Sequence, residues 1–392
     1  MEKNRDRKDE SKAKRRRERA WKAAQRVFPP LFKRKYNAVC EKNSLTGPFL
    51  LIANHAMNSD PILVGFSFPQ QPLTYVGSEH LNRLGIISKL LNRYFGLIPR
   101  SKATVGADTV GAVLRTLRRG EPVALFAEGD CTWDGVTAKV FPATGKLAKA
   151  AGVPLVTYRL EGTYLTFPRW AEKPRRGRLH GGVVHVYDKE ELAGMTASEV
   201  TEAINRDIFV DSWQLQRENG VAYKSKAPAK GLEKALFICP ECGKTDCMET
   251  DGSRIFCKNC GAAAEMDERG FLTGGKFNTV REWDEWQKQK LHKELGKTTG
   301  ASLFASEGVL TDLIDRKAKK RKIAFSLNAA DCALTVDGKA IPFSEISSMA
   351  MVKTSRLLFT TGGGYYEIKS KHGILRPYCL AWQNRPVGTE ER

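Results

Sequence analysis

Two groups of side chains in this sequence have the types and spacing that chemistry requires. The first lies in Asn54-His55-Ala56-Met57-Asn58-Ser59-Asp60. His55 follows a short apolar run, Phe49 to Ala53, of the kind that forms a buried strand. Ligands of open α/β sheets bind beyond the carboxyl ends of the strands, so a side chain just past Ala53 stands where a substrate can reach it. Asp60 comes five residues later, and the intervening loop can fold its carboxylate back onto the imidazole. A carboxylate on one ring nitrogen fixes the tautomer and makes the other nitrogen a better base. No G-x-S-x-G nucleophile motif accompanies the pair. Its natural use is to deprotonate a substrate hydroxyl directly. Taken singly, each residue has a plainer explanation: a hydrogen-bonded loop histidine, and an acid capping a helix that starts at Pro61.

The second group is made of cysteines. Cys239-Pro240-Glu241-Cys242 and Cys257-Lys258-Asn259-Cys260 are two C-x2-C pairs separated by 14 residues, each followed by glycine, Gly243 and Gly261. A glycine there lets the backbone turn its N–H groups toward the thiolates. Four thiolates define a closed tetrahedral site, structural in character, and zinc is the expected ion. A module this small has little core of its own, so the metal is expected to hold it folded. Cys247 falls inside the loop as a spare thiol, and Cys40, Cys332 and Cys379 show no ligand spacing. Paired cysteines of this kind fit a reducing compartment better than a disulfide framework.

The elements that must position these groups read as follows. Strand patterns at 49–53, 73–76, 123–126, 155–160 and 182–186 alternate with helix patterns at 79–94, 106–118, 144–151 and 197–207, with a short extended piece at 96–99. Such alternation predicts an α/β domain around a mostly parallel sheet flanked by helices. Thr279 and Glu282 form a capping-box pattern ahead of a helix bearing Val280, Trp283, Trp286 and Leu291. From Ile323 the chain alternates in β fashion, with turns at Asp337-Gly338 and Gly362-Gly363-Gly364. This tail has a faint likeness to small binding modules of the pleckstrin-homology type.

The order of motifs resembles the glycerolipid acyltransferase family, which includes the 1-acylglycerol-3-phosphate acyltransferases. N-H-x-x-x-x-D is met by Asn54, His55 and Asp60. A glycine followed by a basic residue in an extended segment is met by Gly96 to Arg100. F-P-E-G-T-R-S is met in altered form by Phe126-Ala127-Glu128-Gly129-Asp130-Cys131-Thr132, and the apolar V-P-x-V-P type strand by Val153-Pro154-Leu155-Val156-Thr157. The resemblance spans about residues 45–215 and implies His55 as base and Asp60 as its orienting acid. The implied reaction is direct transfer from acyl-CoA or an acyl carrier protein to the hydroxyl of a lysophospholipid or 1-acylglycerol-3-phosphate. Glu128 and Gly129 would shape the acceptor site. Cys131 stands where the family usually carries an arginine, and a thiol cannot grip a phosphate in bidentate fashion. Either Arg100 and Lys102 take over the phosphate contacts, or the acceptor lacks the usual phosphomonoester.

The resulting division is a basic, partly amphipathic segment over 1–45, an acyltransferase domain over 46–221, a linker over 222–234, a zinc ribbon over 235–265, a helical connector over 266–322 and a β-rich module over 323–392. Residues 1–35 hold fifteen Lys and Arg against five acids, an excess of ten and thus half of the chain's +20. Such a run attracts polyanions, either nucleic acid or anionic lipid. Residues 1–18 alone read as a solvated tail. Beyond them Trp21, Ala24, Phe28, Leu31, Phe32, Tyr36 and Val39 recur at helical spacing, with Pro29 and Pro30 expected to break or kink the stretch. A basic segment with an aromatic stripe suits an interfacial membrane anchor, although the stripe could equally pack on the protein's own core. No apolar run approaches the roughly 18 residues of a spanning helix, and no signal-peptide pattern precedes the basic segment. The expectation is a cytoplasmic enzyme, peripherally attached to an anionic membrane surface, with the ribbon or the β module free to bind a protein partner. Acids at Glu241, Asp246, Glu249 and Asp251 and the distance of the ribbon from the basic run argue against nucleic acid. A catalytically inactive scaffold is the remaining alternative, opposed by the intact His55 and Asp60.

Overall fold

A computed structural model describes residues 2–78, 96–100, 107–295, 302–314, 320–328, 330–371 and 373–385. The helix expected over 79–94 lies outside the described residues. The chain divides into two compact units. The first runs to Lys224, apart from residues 170–173. The second takes residues 170–173 and everything from Ser225.

The first unit is built on a seven-stranded sheet: β1 (Ala38–Cys40), β2 (Leu50–Ala53), β3 (Thr74–Ser78), β4 (Leu97–Arg100), β5 (Val123–Leu125), β6 (Leu155–Glu161) and β7 (Leu179–Tyr187). Their spatial order is β1-β7-β6-β2-β5-β3-β4. All neighbours are parallel except β6 and β7. β2 lies near the middle, and all four of its residues are fully buried. That is why it reads as an unbroken apolar run, not an alternating one. Leu51 and Ala53 join a core on one face with Trp21, Tyr36, Leu63 and Val64. Leu50 and Ile52 join a core on the other face with Val113, Leu117, Ala148, Val200 and Ile204. The sheet is therefore covered on both faces, as the α/β expectation requires.

The N-terminal helix α1 (Glu2–Tyr36) departs from expectation in three ways. Residues 12–18 do not form a solvated tail. Arg17 donates to Glu121 at 2.5 Å and to Thr74 Oγ1 at 2.8 Å, so the basic run is fastened to the ends of β3 and β5. Pro29 and Pro30 do not break the helix. Each removes a backbone donor, but packing holds the chain on both sides of them. Gln25 donates to the Gly65 carbonyl at 2.6 Å before the prolines, and Phe32 meets Tyr36 and Phe66 edge-on at 5.3 Å after them. Finally, the aromatic stripe is divided. Trp21 is 4% exposed and donates from its indole N–H to the Phe68 carbonyl at 2.9 Å, so it is a core residue and is not available to a membrane. It lies so close over Gly65 that any Cβ there would stand 2.8 Å from the indole. Phe28 and Leu31, with Val27, remain exposed.

In the second unit, the cysteine region forms a four-stranded antiparallel sheet of β8 (Met248–Asp251), β9 (Arg254–Cys257), β10 (Ala263–Met266) and β11 (Leu272–Thr273). The helix of Val280–Glu294 follows. Thr279 accepts from the Glu282 N–H at 3.1 Å, but the Glu282 carboxylate reaches the N–H of Asn278, so only half of the expected capping box forms. A second seven-stranded sheet, wholly antiparallel, occupies the C-terminal part. Its turns fall where the glycines require positive φ, at Asp337-Gly338 and Gly362-Gly363. That sheet begins with the strand Ser302–Asp312, inside the stretch read as a helical connector. This strand pairs on both sides, with Arg321–Asn328 and with Gly364–Lys369, so its place comes from its neighbours and not from its own weak alternation. The stretch 222–234 is not an open linker either: Tyr223, Ala229 and Leu232 are buried.

Candidate active site

The site begins where β2 ends. Asn54 carries the sheet pattern one residue further. Its amide donates to the Leu160 carbonyl at 2.9 Å and accepts from the Leu160 N–H at 2.7 Å. It is a clamp between β2 and β6 that fixes the point at which the chain leaves the sheet. His55 comes next, with its side chain 19% exposed.

Asp60 does not cap the helix Asp60–Phe66. Ser59 occupies the cap position and makes no side-chain cap bond. The Asp60 carboxylate instead turns back into the loop. Its Oδ2 accepts from His55 Nδ1 at 2.9 Å and from the N–H groups of Ala56 and Met57 at 2.7 and 2.8 Å. The Asp60 side chain is wholly buried. One oxygen therefore fixes both the loop and the ring, leaving Nε2 as the nitrogen for chemistry.

The loop after β5 supplies the other wall. Glu128 accepts from the His55 N–H at 2.5 Å through one oxygen and from the Ala138 N–H at 2.7 Å through the other. It is thus a brace joining two loops. Burial raises its carboxyl to about 7, against the lowering effect of those two N–H groups and of the His55 charge. Gly129 adopts φ +86°, and a Cβ there would stand 2.9 Å from the ring of Phe141. Phe141 is half exposed, and the Arg100 guanidinium lies 5.3 Å from its ring centroid. Arg100, Phe141 and Gly129 thus form one stacked series. Lys102 lies outside the described residues.

Three contributors were not anticipated. The Phe126 ring faces the His55 ring at 4.5 Å between centroids. Arg169, nearly buried, pairs with Asp130 at 2.6 Å, donates to the Cys131 carbonyl at 3.2 Å and lies 4.2 Å over Trp133. Cys131 is 5% exposed and lies near enough to His55 for its sulfur to favour the imidazolium. Phe126 was visible as the first residue of the altered third motif. Arg169 has no signal, because it is 37 residues beyond Thr132 and is brought back only by the fold. Burial opposes protonation of His55, but the Cys131 sulfur and then the Asp60 carboxylate outweigh it, so the imidazole stands well above its ordinary 6.5.

In the second unit, the ligand atoms of Cys239, Cys242, Cys257 and Cys260 lie within 4.8 Å of one another. The Cys239–Cys260 and Cys242–Cys257 sulfurs are 3.6 and 3.8 Å apart. A tetrahedron with metal–sulfur bonds of about 2.3 Å has edges of about 3.8 Å, close to these two separations, so the four sulfurs are grouped as a metal site requires. The knuckles repeat each other: Gly243 and Gly261, at φ +69° and +76°, donate to the carbonyls of Cys239 and Cys257, each at 3.0 Å. Cys247 is no idle thiol, since its sulfur is 3.4 Å from that of Cys257.

The histidine–carboxylate pair thus stands beyond a central strand of the sheet, braced by a glutamate from the next loop. Residues 35–161 match the acyltransferase family model, a segment that contains His55, Asp60, Arg100, Glu128, Gly129 and Cys131. The chain therefore carries an acyltransferase-family domain and is an acyltransferase enzyme. Among solved structures it is similar to the 1-acyl-sn-glycerophosphate (LPA) acyltransferase PlsC from Thermotoga maritima, at 17% identity and a TM-score of 0.39, over 48% of this chain and 78% of that one.

The Asp60 contact has a titration signature. The folded-state pKa of His55 lies above its ordinary value, so the ion pair stabilises the fold below about 6.5, and that contribution is lost as pH rises through the folded value. Asp60→Asn should bring the His55 titration seen by NMR down in pH. The same variant should lose most stability, relative to wild type, in acid solution and progressively less toward alkaline pH. An unmoved His55 titration would show that Asp60 does not hold the imidazolium.

Proposed function

We propose that this enzyme moves a fatty acyl group from a thioester, acyl-CoA or an acyl carrier protein, to the hydroxyl of a lysophospholipid or 1-acylglycerol-3-phosphate, in phospholipid synthesis. The observation that carries the reading is an imidazole held at Nδ1 by a wholly buried carboxylate, inside the segment matched by the acyltransferase family. In this mechanism, His55 Nε2 takes the proton of the acceptor hydroxyl, and Asp60 stabilises the imidazolium that results. The acceptor oxygen attacks the acyl carbon of the thioester, and the thiol departs with a proton. Glu128 holds the His55 backbone in register. Arg100, presented on Phe141, is the cation available to an acceptor phosphate among the described residues that the motif singled out. His55→Ala should lower turnover of labelled acyl-CoA with a panel of lysolipids by about 10²- to 10⁴-fold, with the fold kept but its melting temperature lowered, because the buried Asp60 carboxylate loses one of its three partners. Near-normal turnover in that variant would exclude His55 as the base.

The acceptor in this reading resides in a bilayer. Among the described residues, no helix is long and apolar enough to cross one. Support for docking at an anionic surface comes from α1, where Val27, Phe28 and Leu31 stand exposed among Lys22, Arg26, Lys33, Arg34 and Lys35. Basic side chains near an anionic surface contribute on the order of 1 kcal/mol each, and salt weakens them. Because Trp21 and Tyr36 are core residues, deletion of the segment is a poor test, and point changes are the better one. Replacing Phe28 and Leu31 together by serine should weaken binding to anionic vesicles and turnover on bilayer substrate. Turnover on detergent-dispersed lysolipid should be spared. Equal vesicle binding by the variant and the wild type would remove α1 as the docking element.

The four-cysteine group is read as a structural zinc site, because a closed set of four sulfurs leaves no position for a substrate. Elemental analysis of protein purified without chelators should give about one zinc per chain. Cys257→Ser should reduce that content and loosen residues 236–265 to proteolysis while His55-dependent turnover persists. Absence of zinc from the wild-type protein would refute the assignment.

A further inference from the structure

The loop after β5 is held against His55 on both sides. Glu128 accepts from the His55 N–H at 2.5 Å, and the Thr132 N–H donates to the His55 carbonyl at 3.0 Å. Gly129, Asp130 and Cys131 lie between these two contacts, so they border the place where an acceptor meets the imidazole. Residues 126–134 hold three acids, Glu128, Asp130 and Asp134, and no Lys or Arg. Two of the three are turned to the protein. Glu128 serves two backbone N–H groups, and Asp134 accepts from the Thr132 hydroxyl at 2.9 Å and from the Val136 N–H at 3.2 Å. Asp130 faces outward, with its side chain 47% exposed.

One cation is brought to this loop, and its charge is matched there. Arg169, with its side chain 4% exposed, pairs with Asp130 Oδ2 at 2.6 Å, donates to the Cys131 carbonyl at 3.2 Å and lies 4.2 Å over Trp133. The pair has no net charge, and its buried member is the cation. The outer face of the pair is therefore a carboxylate. Its Oδ1 accepts from the Cys131 N–H at 3.0 Å, which holds it in place, and each carboxylate oxygen can accept more than one donor. On the other side of Gly129 the sign is reversed. Arg100 lies 5.3 Å from the centroid of the Phe141 ring, and that ring lies 2.9 Å from where a Gly129 Cβ would stand. A cation on one side of Gly129 and an outward carboxylate on the next residue suit a ligand that carries both signs. They suit a phosphomonoester poorly, because its second negative charge would face Asp130.

We propose that the acceptor is a zwitterionic lysophospholipid, whose phosphodiester meets Arg100 and whose primary ammonium meets Asp130. The proposal rests on the acyl-transfer reading and names the acceptor within it. A phosphodiester carries a single negative charge, which one guanidinium can match. The ammonium donates to a carboxylate already positioned by Arg169 and the Cys131 N–H, so little ordering is left to binding. Selection comes from two sources, the attraction of Asp130 for the amine and its repulsion of a second phosphate charge. The chemistry at the hydroxyl is that given above, with His55 as the base.

The test uses the full-length chain with labelled palmitoyl donor, as the CoA thioester and on acyl carrier protein. Three lysolipids with the same acyl chain are compared in the same detergent. 1-Acylglycerol 3-phosphate presents a phosphomonoester, the glycerol phosphodiester presents phosphate without an amine, and the ethanolamine phosphodiester presents both. Wild-type kcat/KM should be greatest on the ethanolamine lysolipid, by about 10-fold or more over each of the others. Asp130→Asn keeps the size of the side chain and an acceptor for the Cys131 N–H, but it removes the outward charge and leaves the Arg169 guanidinium unmatched. The ratio of kcat/KM on 1-acylglycerol 3-phosphate to that on the ethanolamine lysolipid should rise by about 10-fold or more in this variant. A ratio is insensitive to a fraction of misfolded enzyme, and the wild-type comparison needs no variant. Equal or greater wild-type efficiency on either of the other lysolipids, or a ratio unmoved in Asp130→Asn, would overturn the headgroup assignment and leave acyl transfer standing. No transfer to any of the three lysolipids from either donor would overturn the acyl-transfer reading and the headgroup assignment with it.

Discussion

The first unit depends on one buried charge. The Asp60 carboxylate is wholly removed from water, and only one of its oxygens has hydrogen-bond partners among the described residues. Burying an ionised carboxylate costs several kcal/mol unless charged and polar partners offset it. Here the offset comes from two backbone N–H groups and one imidazole. That requirement constrains the conformation of residues 55–57, which brings both N–H groups and the ring onto the same oxygen. It also explains why the helix of residues 60–66 starts without a side-chain cap: the acid that could have capped it serves the loop instead. The neighbouring elements continue the same constraint. Asn54 fixes the entry to the loop, Glu128 holds the His55 N–H from the opposite side, and Thr132 holds its carbonyl.

The second unit solves a comparable problem by different means. Asp284 is fully buried, and Arg376 meets it in bidentate fashion at 2.5 and 2.7 Å, with Lys288 at 2.6 Å. Burial would raise the carboxyl, but these cations, Arg376 first, hold it below its ordinary range. Arg376 and Gln287 both donate to the Ala235 carbonyl at 2.7 Å, and Gln287 accepts from the Phe237 N–H. The strand of chain that leads into Cys239 is therefore held by the same cluster that joins the helix of residues 280–294 to the helix Arg376–Gln383. Cysteine region, helix and C-terminal sheet make one unit, although composition suggested three successive modules.

What the sequence revealed and what it hid follow from the range of each interaction. The buried strands were legible because burial on both faces leaves an apolar run, and the paired glycines marked the cysteine knuckles and hairpin turns because positive φ excludes most other residues. The His55–Asp60 contact was legible because the two partners are five residues apart, at either end of one short loop. Arg169 was not, since its partners at 130, 131 and 133 reach it only through the fold. The strand at 302–312 was missed for a related reason: flanking strands supply its hydrogen bonds, and its own residues give little alternation. Local chemistry leaves a trace in spacing, whereas contacts closed over long sequence separation do not.

The N-terminal helix shows how a single pattern can serve two environments. Aromatic residues at helical spacing among basic ones suit both a lipid interface and a protein core, and α1 divides them between its faces. Trp21 and Tyr36 enter the same core as Leu51 and Ala53 of β2, while Val27, Phe28 and Leu31 stay outside. The two faces are mechanically one element, and the core face is only two residues of chain away from β1. Any surface that α1 grips is thereby connected, through packed side chains and not through a flexible tether, to the sheet whose central strand ends at His55. Docking through α1, as proposed, would do more than raise the local concentration of substrate. It would fix the orientation of the sheet with respect to whatever α1 binds, which a disordered basic tail of the same charge could not do.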